Sequence, residues 1–275
     1  MNSAAKRVAA TILFLLVLAG AGCGSQGSAS RSRLVLATTT SAQDSGILDE
    51  FVKRFEKKYP YDVKAVAVGS GAALFMGMNG DADVMLTHEP KAEKEFMEAG
   101  CGESIQKVMH NDFIIVGPPS DPAGIKGLKD AAGAAKLIAS SGSPFASRGD
   151  ASGTNAMEMS VWERAGVQPA APWYFETGQG MGETLRIAND RNAYTLTDRA
   201  TFIVMKPWLS SEIMVEGDGS LVNQYSVAVV DPKMFPRVNI AGARDFKAFL
   251  LSDDTKKLIA DFGWREYHEH LFYPD

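Results

Sequence analysis

From Leu34 onward, short apolar runs that end in Ser, Thr or Gly alternate with segments whose apolar residues recur at helical spacing. Leu34-Val35-Leu36-Ala37 reads as a buried strand leaving into Thr38-Thr39-Thr40-Ser41. Ile47, Leu48, Phe51, Val52 and Phe55 then share one helical face, which Pro60 stops. Asp62 to Val68 alternates and ends in Gly69-Ser70-Gly71, with a short helix expected from Ala72. Asp83-Val84-Met85-Leu86 reads as the third strand, Lys91 to Ala99 as a helix closed by Gly100, and Phe113 to Val116 as the fourth strand. Strands interleaved with helices imply an α/β fold with a mostly parallel sheet.

After Pro118-Pro119 the pattern restarts. Ile125 to Ala139 reads as a helix, and Pro144 to Ser147 as a short strand entering the loop Arg148-Gly149-Asp150-Ala151-Ser152-Gly153-Thr154. Helices follow at Asn155 to Ala165, ended by Gly166, and at Gly182 to Asn189; Tyr194 to Thr197 and Tyr225 to Val230 are strand-like. Ala243 to Trp264 is helical, with Ser252 as an N-cap and Asp253 and Asp254 in the first turn after it. The chain leaves the first α/β unit near Phe113 and is expected to return near Val230. Two crossings describe a hinged pair of lobes, 34–112 plus 231–275 and 113–230, with the ligand cleft between them.

Residues 1–22 read as a signal peptide: Lys6 and Arg7 precede an apolar run, Val8 to Ala21, broken only by Thr11 and Gly20. That run is shorter than the roughly 20 apolar residues a membrane span needs. Ala19-Gly20-Ala21 fits ordinary cleavage, whereas Gly20-Ala21-Gly22-Cys23 resembles a bacterial lipobox that would leave Cys23 lipid-modified, with Gly20 standing where Leu is usual. Residues 23–33, rich in Gly and Ser, read as a flexible tether, which favours the anchored form. The expected location is periplasmic or extracytoplasmic. Beyond Cys23 only Cys101 remains, so no disulfide framework is expected, and Cys101 reads as a small buried thiol.

The formal charge is −5. An acidic chain is no nucleic-acid binder, because phosphate contacts need a basic patch. Net charge would not attract an anion either, so an anion site here depends on local donors. Three loops supply them: Thr38 to Ser41, Gly69-Ser70-Gly71 and Arg148 to Thr154. Each follows a predicted strand and opens a helix. The first turn of a helix exposes unpaired N–H groups and carries a partial positive charge. Hydroxyls add orientable donors, and glycine lets backbone N–H groups approach a ligand. Loops at the carboxyl ends of strands in an open α/β sheet face a common crevice. Each loop alone fits simple helix capping; together they form a cage suited to an oxyanion. Arg148 adds a planar fork of charged donors, with Asp150 as an ion-pair partner beside it.

Enzyme signatures are missing: there is no Gly-x-Ser-x-Gly elbow, no complete dinucleotide fingerprint and no Lys-containing phosphate loop. The 4 histidines are scattered, and His268-x-His270 reads as an exposed tail. No catalytic residue, cofactor or protein-bound metal is expected. Trp162, at helical spacing from Met159 and Ala165, reads as core.

Thr38-Thr39-Thr40-Ser41-Ala42-Gln43-Asp44-Ser45-Gly46, Val68-Gly69-Ser70-Gly71, Asn111-Asp112-Phe113, Ser147 to Thr154, Gly178-Gln179-Gly180-Met181-Gly182 and Ala193 to Arg199 resemble the tungstate-binding proteins of bacterial ABC importers. The resemblance runs from Leu34 nearly to the C-terminus. It implies a two-lobed type II periplasmic-binding-protein fold, with tungstate or molybdate held between lobes and delivered by a monomer to an ABC permease subunit. Carried over by position, Thr39, Thr40, Ser41 and Ser70 would be ligands from lobe one. Arg148, Ser152 and Thr154 would be ligands from lobe two, with backbone amides of Gly180-Met181-Gly182 added. Thr197 is either a further ligand or the cap of a helix beginning at Asp198. Phosphate and sulfate are the alternatives, since the Arg148-x-Asp150-x-Ser152-Gly153-Thr154 spacing also resembles phosphate-binding proteins. Phosphate near neutral pH keeps a proton and needs an acceptor, whereas tungstate, molybdate and sulfate are fully ionised. Asp44 and Asp150 are the only acids in the first and third loops.

Overall fold

Alternating apolar residues in Ser32–Thr39 (β1) and Tyr61–Val68 (β2) place these strands side by side in parallel, from Ser32 against Tyr61 to Thr39 against Val68. The computed structural model describes residues 31–275, so the signal peptide, Cys23 and most of the tether lie outside the described residues. The strand begins at Ser32, so the expected tether ends earlier than residue 33. Between β1 and β2 run a short helix, Thr40–Asp44 (α1), and Ile47–Lys58 (α2), whose Ile47, Leu48, Phe51 and Phe55 are buried. Ser70–Met78 (α3), Val84–Thr87 (β3) and Pro90–Glu98 (α4) complete the parallel part of the sheet, with β3 against β1.

Here the sheet departs from the expected parallel arrangement. Gly102–Gly117 (β4) is one strand of 16 residues, of which only Phe113 to Val116 were legible. Val222–Val230 (β9) inserts between β3 and β4, antiparallel to both, giving the order β4-β9-β3-β1-β2, with the C-terminal strand Tyr273–Pro274 (β10) on the other side of β4. The reason is directional: β9 arrives from the far half of the chain and runs back into the sheet. It also moves the expected return point, because pairing with Asp112 of β4 already holds the chain at Val222 rather than near Val230.

The C-terminal end of β4 serves a second set of strands. Phe113 to Val116 pair with Thr195–Asp198 (β7), and Ile115 to Gly117 with Glu212–Val215 (β8). In the intervening chain lie Ala131–Ser141 (α5), the parallel pair Phe145–Ser147 (β5) and Tyr174–Glu176 (β6), Gly153–Ala165 (α6), Met181–Asp190 (α7) and Arg199–Met205 (α8), followed by a 3-10 turn at Lys206–Trp208. The helix expected from Ile125 starts only at Ala131. Gly124 and Gly127 take positive φ, and Asp130 caps the helix by accepting the Gly133 amide, so Ile125 reaches the core from a loop. Ile240–Leu250 (α9), Asp253–Asp261 (α10), Trp264–Tyr267 (α11) and Tyr273–Pro274 (β10) close the chain; Ser252 is the expected N-cap of α10, with Asp253 and Asp254 in its first turn.

Residues 31–275 form one compact unit containing several apolar cores. One core gathers Leu34, Phe51, Phe55, Tyr225, Phe246 and Phe272 from 31–112 and 222–275. Another gathers Phe113, Ile125, Ile138, Trp162, Tyr194 and Leu221, all from 113–221. Trp162 is buried with its ring edge-on to Phe145, 5.0 Å between centroids, as expected of a core residue. Helix α8 joins the first core to a third, smaller one: Ala200 lies in the first, while Phe202 packs with Ile114, Met181 and Leu185. Residues 31–112 plus 222–275 make up the first half of the molecule, and 113–221 the second half.

Candidate anion-binding site

Each of the three loops meets the other half of the chain through glycine. A Cβ placed on Gly69 would lie 3.3 Å from Ser152 Cα, and one on Gly71 would lie 3.1 Å from the Ala151 carbonyl. In the opposite direction, a Cβ on Gly153 would lie 2.7 Å from the His88 carbonyl, and one on Gly180 would lie 3.3 Å from Thr40 Cγ2. The β1–α1 loop, the β2–α3 loop, the 148–154 loop and the start of α7 therefore come together, and side chains larger than hydrogen would hold them apart.

The hydroxyls in this junction divide by what already holds their protons. Thr38 donates to the Leu86 carbonyl at 3.0 Å and is committed there. Thr39 caps α1 and Ser152 caps α6, each accepting a backbone amide at 3.2 Å. An accepting hydroxyl keeps its own proton free, so capping and donation to an anion are compatible. The same holds for Ser70, whose Oγ accepts the His88 amide at 3.3 Å. Thr40 Oγ1, Ser41 Oγ, Arg148 Nε and Thr154 Oγ1 are buried with no hydrogen-bond partner among the described residues. Burying such a group unpaired costs about 1–3 kcal/mol, so this concentration of orphaned donors marks a place where acceptors belong. Thr197 differs: its hydroxyl donates to the Asp198 carbonyl at 3.1 Å, and Asp198, not Thr197, caps α8 through the Thr201 amide at 2.9 Å.

Arg148 is only 2% exposed. Its guanidinium donates to Asp150 Oδ2 at 2.5 Å, leaving Nε free, while Asp150 Oδ1 accepts the Ser152 amide at 3.2 Å. The loop is framed from behind by Ser147, which donates to the buried Glu158 at 2.7 Å and accepts the Gly149 amide and the Asn155 side chain. Ser147 and Arg148 carbonyls accept the amides of Thr177 and Gly178 at 2.9 and 2.8 Å. Ala151 holds φ at +53°, a conformation disfavoured for a residue with a Cβ. The loop thus keeps its shape by its own hydrogen bonds.

The chain is similar to known proteins along most of its length. The PBP superfamily domain matches residues 24–254. The tungstate-binding protein TupA of Peptoclostridium acidaminophilum is 43% identical over 244 residues, covering 88% of this chain and 85% of that protein. The chain belongs to the TupA family of the PBP superfamily. Two solved structures agree in fold. The tungstate ABC transporter from Geobacter sulfurreducens superposes with a TM-score of 0.77 at 44% identity over 84% of this chain and 98% of that one. The tungstate-binding protein TupA from Desulfovibrio alaskensis G20 gives 0.73 at 41% identity, covering 89% and 99%. The type II periplasmic-binding-protein fold read from the motifs is therefore the fold of this family member.

Three neighbours of the site were not among the expected ligands. Asp198 is a fully buried acid beside the first loop, in addition to Asp44 and Asp150. Burial pushes its carboxyl up, tempered by the hydrogen bond from the Thr201 amide. Asp44 belongs to the quoted motif, but the donor it accepts from, the Gly182 amide, lies in the other half. The His88 ring lies tilted against Tyr225, 4.7 Å between centroids, and packs against Gly153; burial, then the Arg148 charge, lowers it to about 3, so it stays neutral. The Asp44 and His88 contacts leave no spacing signal, because each joins residues far apart in sequence, whereas Asp198 carries the local spacing of a helix cap, with Thr201 three residues on. Among the described residues, no group of His, Cys, Asp and Glu could hold a metal ion, and no helix is long and apolar enough to cross a membrane.

Proposed function

We propose that the protein is the extracytoplasmic solute-binding component of an ABC importer and that it captures tungstate, with molybdate as a second ligand. The observation that carries this reading is the convergence of orphaned buried donors from both halves: Thr40 and Ser41 from one, Arg148 Nε and Thr154 from the other. A tetrahedral dianion presents acceptors in every direction and replaces its water shell with such protons. Thr39, Ser70 and Ser152 add hydroxyl protons that their capping and accepting roles leave free. The 43% identical TupA protein supports tungstate as the cargo.

The two halves act as lobes. An anion that bridges donors on both favours the shut form by differential affinity, and the shut form docks on the permease. The chain is exported, held at the membrane through a lipid on Cys23, and works as a monomer without covalent chemistry. Thr197 contributes its backbone position rather than a hydroxyl proton, since that proton is already engaged.

Arg148→Ala tests the site. Charged hydrogen bonds contribute about 1.5–3 kcal/mol, so tungstate affinity measured by calorimetry should fall by roughly tenfold to a hundredfold. Unchanged affinity removes Arg148 from the site. Phosphate is the second reading, because Asp44 and Asp198 give the junction carboxylates that a protonated anion could use. In competition calorimetry among tungstate, molybdate, sulfate and phosphate, tungstate should win; phosphate binding alone transfers the site to that anion.

A further inference from the structure

Helix α7 has Gly180 at its N-cap and receives no side-chain cap from its own segment. Its acceptor comes from 138 residues away: the Gly182 amide donates to Asp44 Oδ2 at 3.0 Å. Asp44 is the last residue of α1, in the first half, and α7 lies in the second. The fit is close. A Cβ on Gly182 would stand 3.2 Å from that same Oδ2 and 3.1 Å from Met205 Sδ, and a Cβ on Gly180 would press on Thr40. Burial raises the Asp44 carboxyl, and the Gly182 amide, Arg148 and Arg186 pull it back.

We propose that Asp44 is a closure latch: it does not hold the anion, but caps α7 across the junction when the halves are shut and so sets how long captured anion stays. This rests on the two-lobed capture reading above. Two features separate a latch from a ligand. A carboxylate next to a doubly negative anion repels it, and the oxygen in question already accepts an amide proton. A cap that exists only in the shut form weighs on release, not on capture, because the bond is made after the anion has arrived and must break before it leaves.

The test is stopped-flow kinetics with tungstate on the mature wild-type protein, Asp44→Ala and Asp44→Asn. Asp44→Ala should release tungstate about tenfold faster, with association changed by less than about twofold. Asp44→Asn keeps an acceptor oxygen and should restore most of the slow release. If Asp44 acted only as a charge beside the anion, both variants would bind more tightly, and that result overturns the latch. So does unaltered release from Asp44→Ala, or a loss of its association rate equal to its loss of affinity. Hydrogen exchange on the wild type needs no variant: the Gly182 amide must become protected when tungstate binds, and an unprotected amide in the bound form also overturns the proposal. A wild type that ignores tungstate sinks the cargo assignment instead; the same comparison, run with whichever of molybdate, sulfate or phosphate binds, still decides the latch.

Discussion

Glu158 shows how one buried carboxyl can organise a loop that it does not belong to. Ser147, Trp162 Nε1 and the Tyr174 hydroxyl donate to it at 2.7, 2.9 and 2.9 Å. Burial still dominates those bonds and pushes the carboxyl up to about 7 from 4.5. The folded protein therefore keeps a proton that the unfolded chain has lost at intermediate pH. The stability tied to that proton is complete below pH 4.5 and is lost as pH rises through 7. Against Glu158→Gln, which cannot ionise, wild-type unfolding free energy from urea melts should decline by roughly 3 kcal/mol between the two ends of that window. A pH-independent difference between the two proteins would mean that Glu158 is ionised throughout. Residues of this kind were illegible beforehand: Glu158 is an ordinary acid on a helix until Ser147 and Tyr174 are folded onto it. The hydroxyls were legible, because Ser and Thr beside a helix start carry their meaning locally, as Thr39 and Ser152 do.

At the level of elements, helix starts and stops were the readable part. Gly166 ends α6 at φ +65°, Ser252 caps α10, and the helical face of α2 is buried as its spacing predicts. The strand β4 was not readable over Gly102 to Asp112. Its residues there are largely polar and half-buried, and register shifts against β9 disrupt the alternation that would announce a strand. Helix α6 offers a test of the junction. Gly153 begins it, and the His88 carbonyl and ring stand 2.7 and 2.9 Å from where a methyl would go. Alanine suits a helix better than glycine does. Gly153→Ala should therefore leave the anion-free protein at least as heat-stable as wild type, while overpacking of about 1–3 kcal/mol weakens tungstate binding by roughly tenfold to a hundredfold. Equal loss of stability and affinity would mean that Gly153 and His88 touch whether or not the anion is present.

For the molecule as a whole, a ligand that binds only the folded chain raises its stability by mass action. At a free concentration about 100 times Kd the gain is about 2.7 kcal/mol, which moves the melting temperature of a protein this size upward by roughly 5–10 °C. Tungstate should produce that rise in a thermal scan and phosphate at the same concentration should not; equal shifts from both would erase the distinction between them. The larger architecture has its own consequence. The central position of the first sheet is filled by β9, flanked by β3 and β4, so strands made early must wait for one made more than a hundred residues after β3. Contacts of such long range are slow to form, because the entropy of closing the intervening chain is lost before any pairing compensates it. A growing polypeptide of this sequence thus has no finished sheet to fold into until Val222 to Val230 has been made, so its early strands stand with an open edge through most of synthesis.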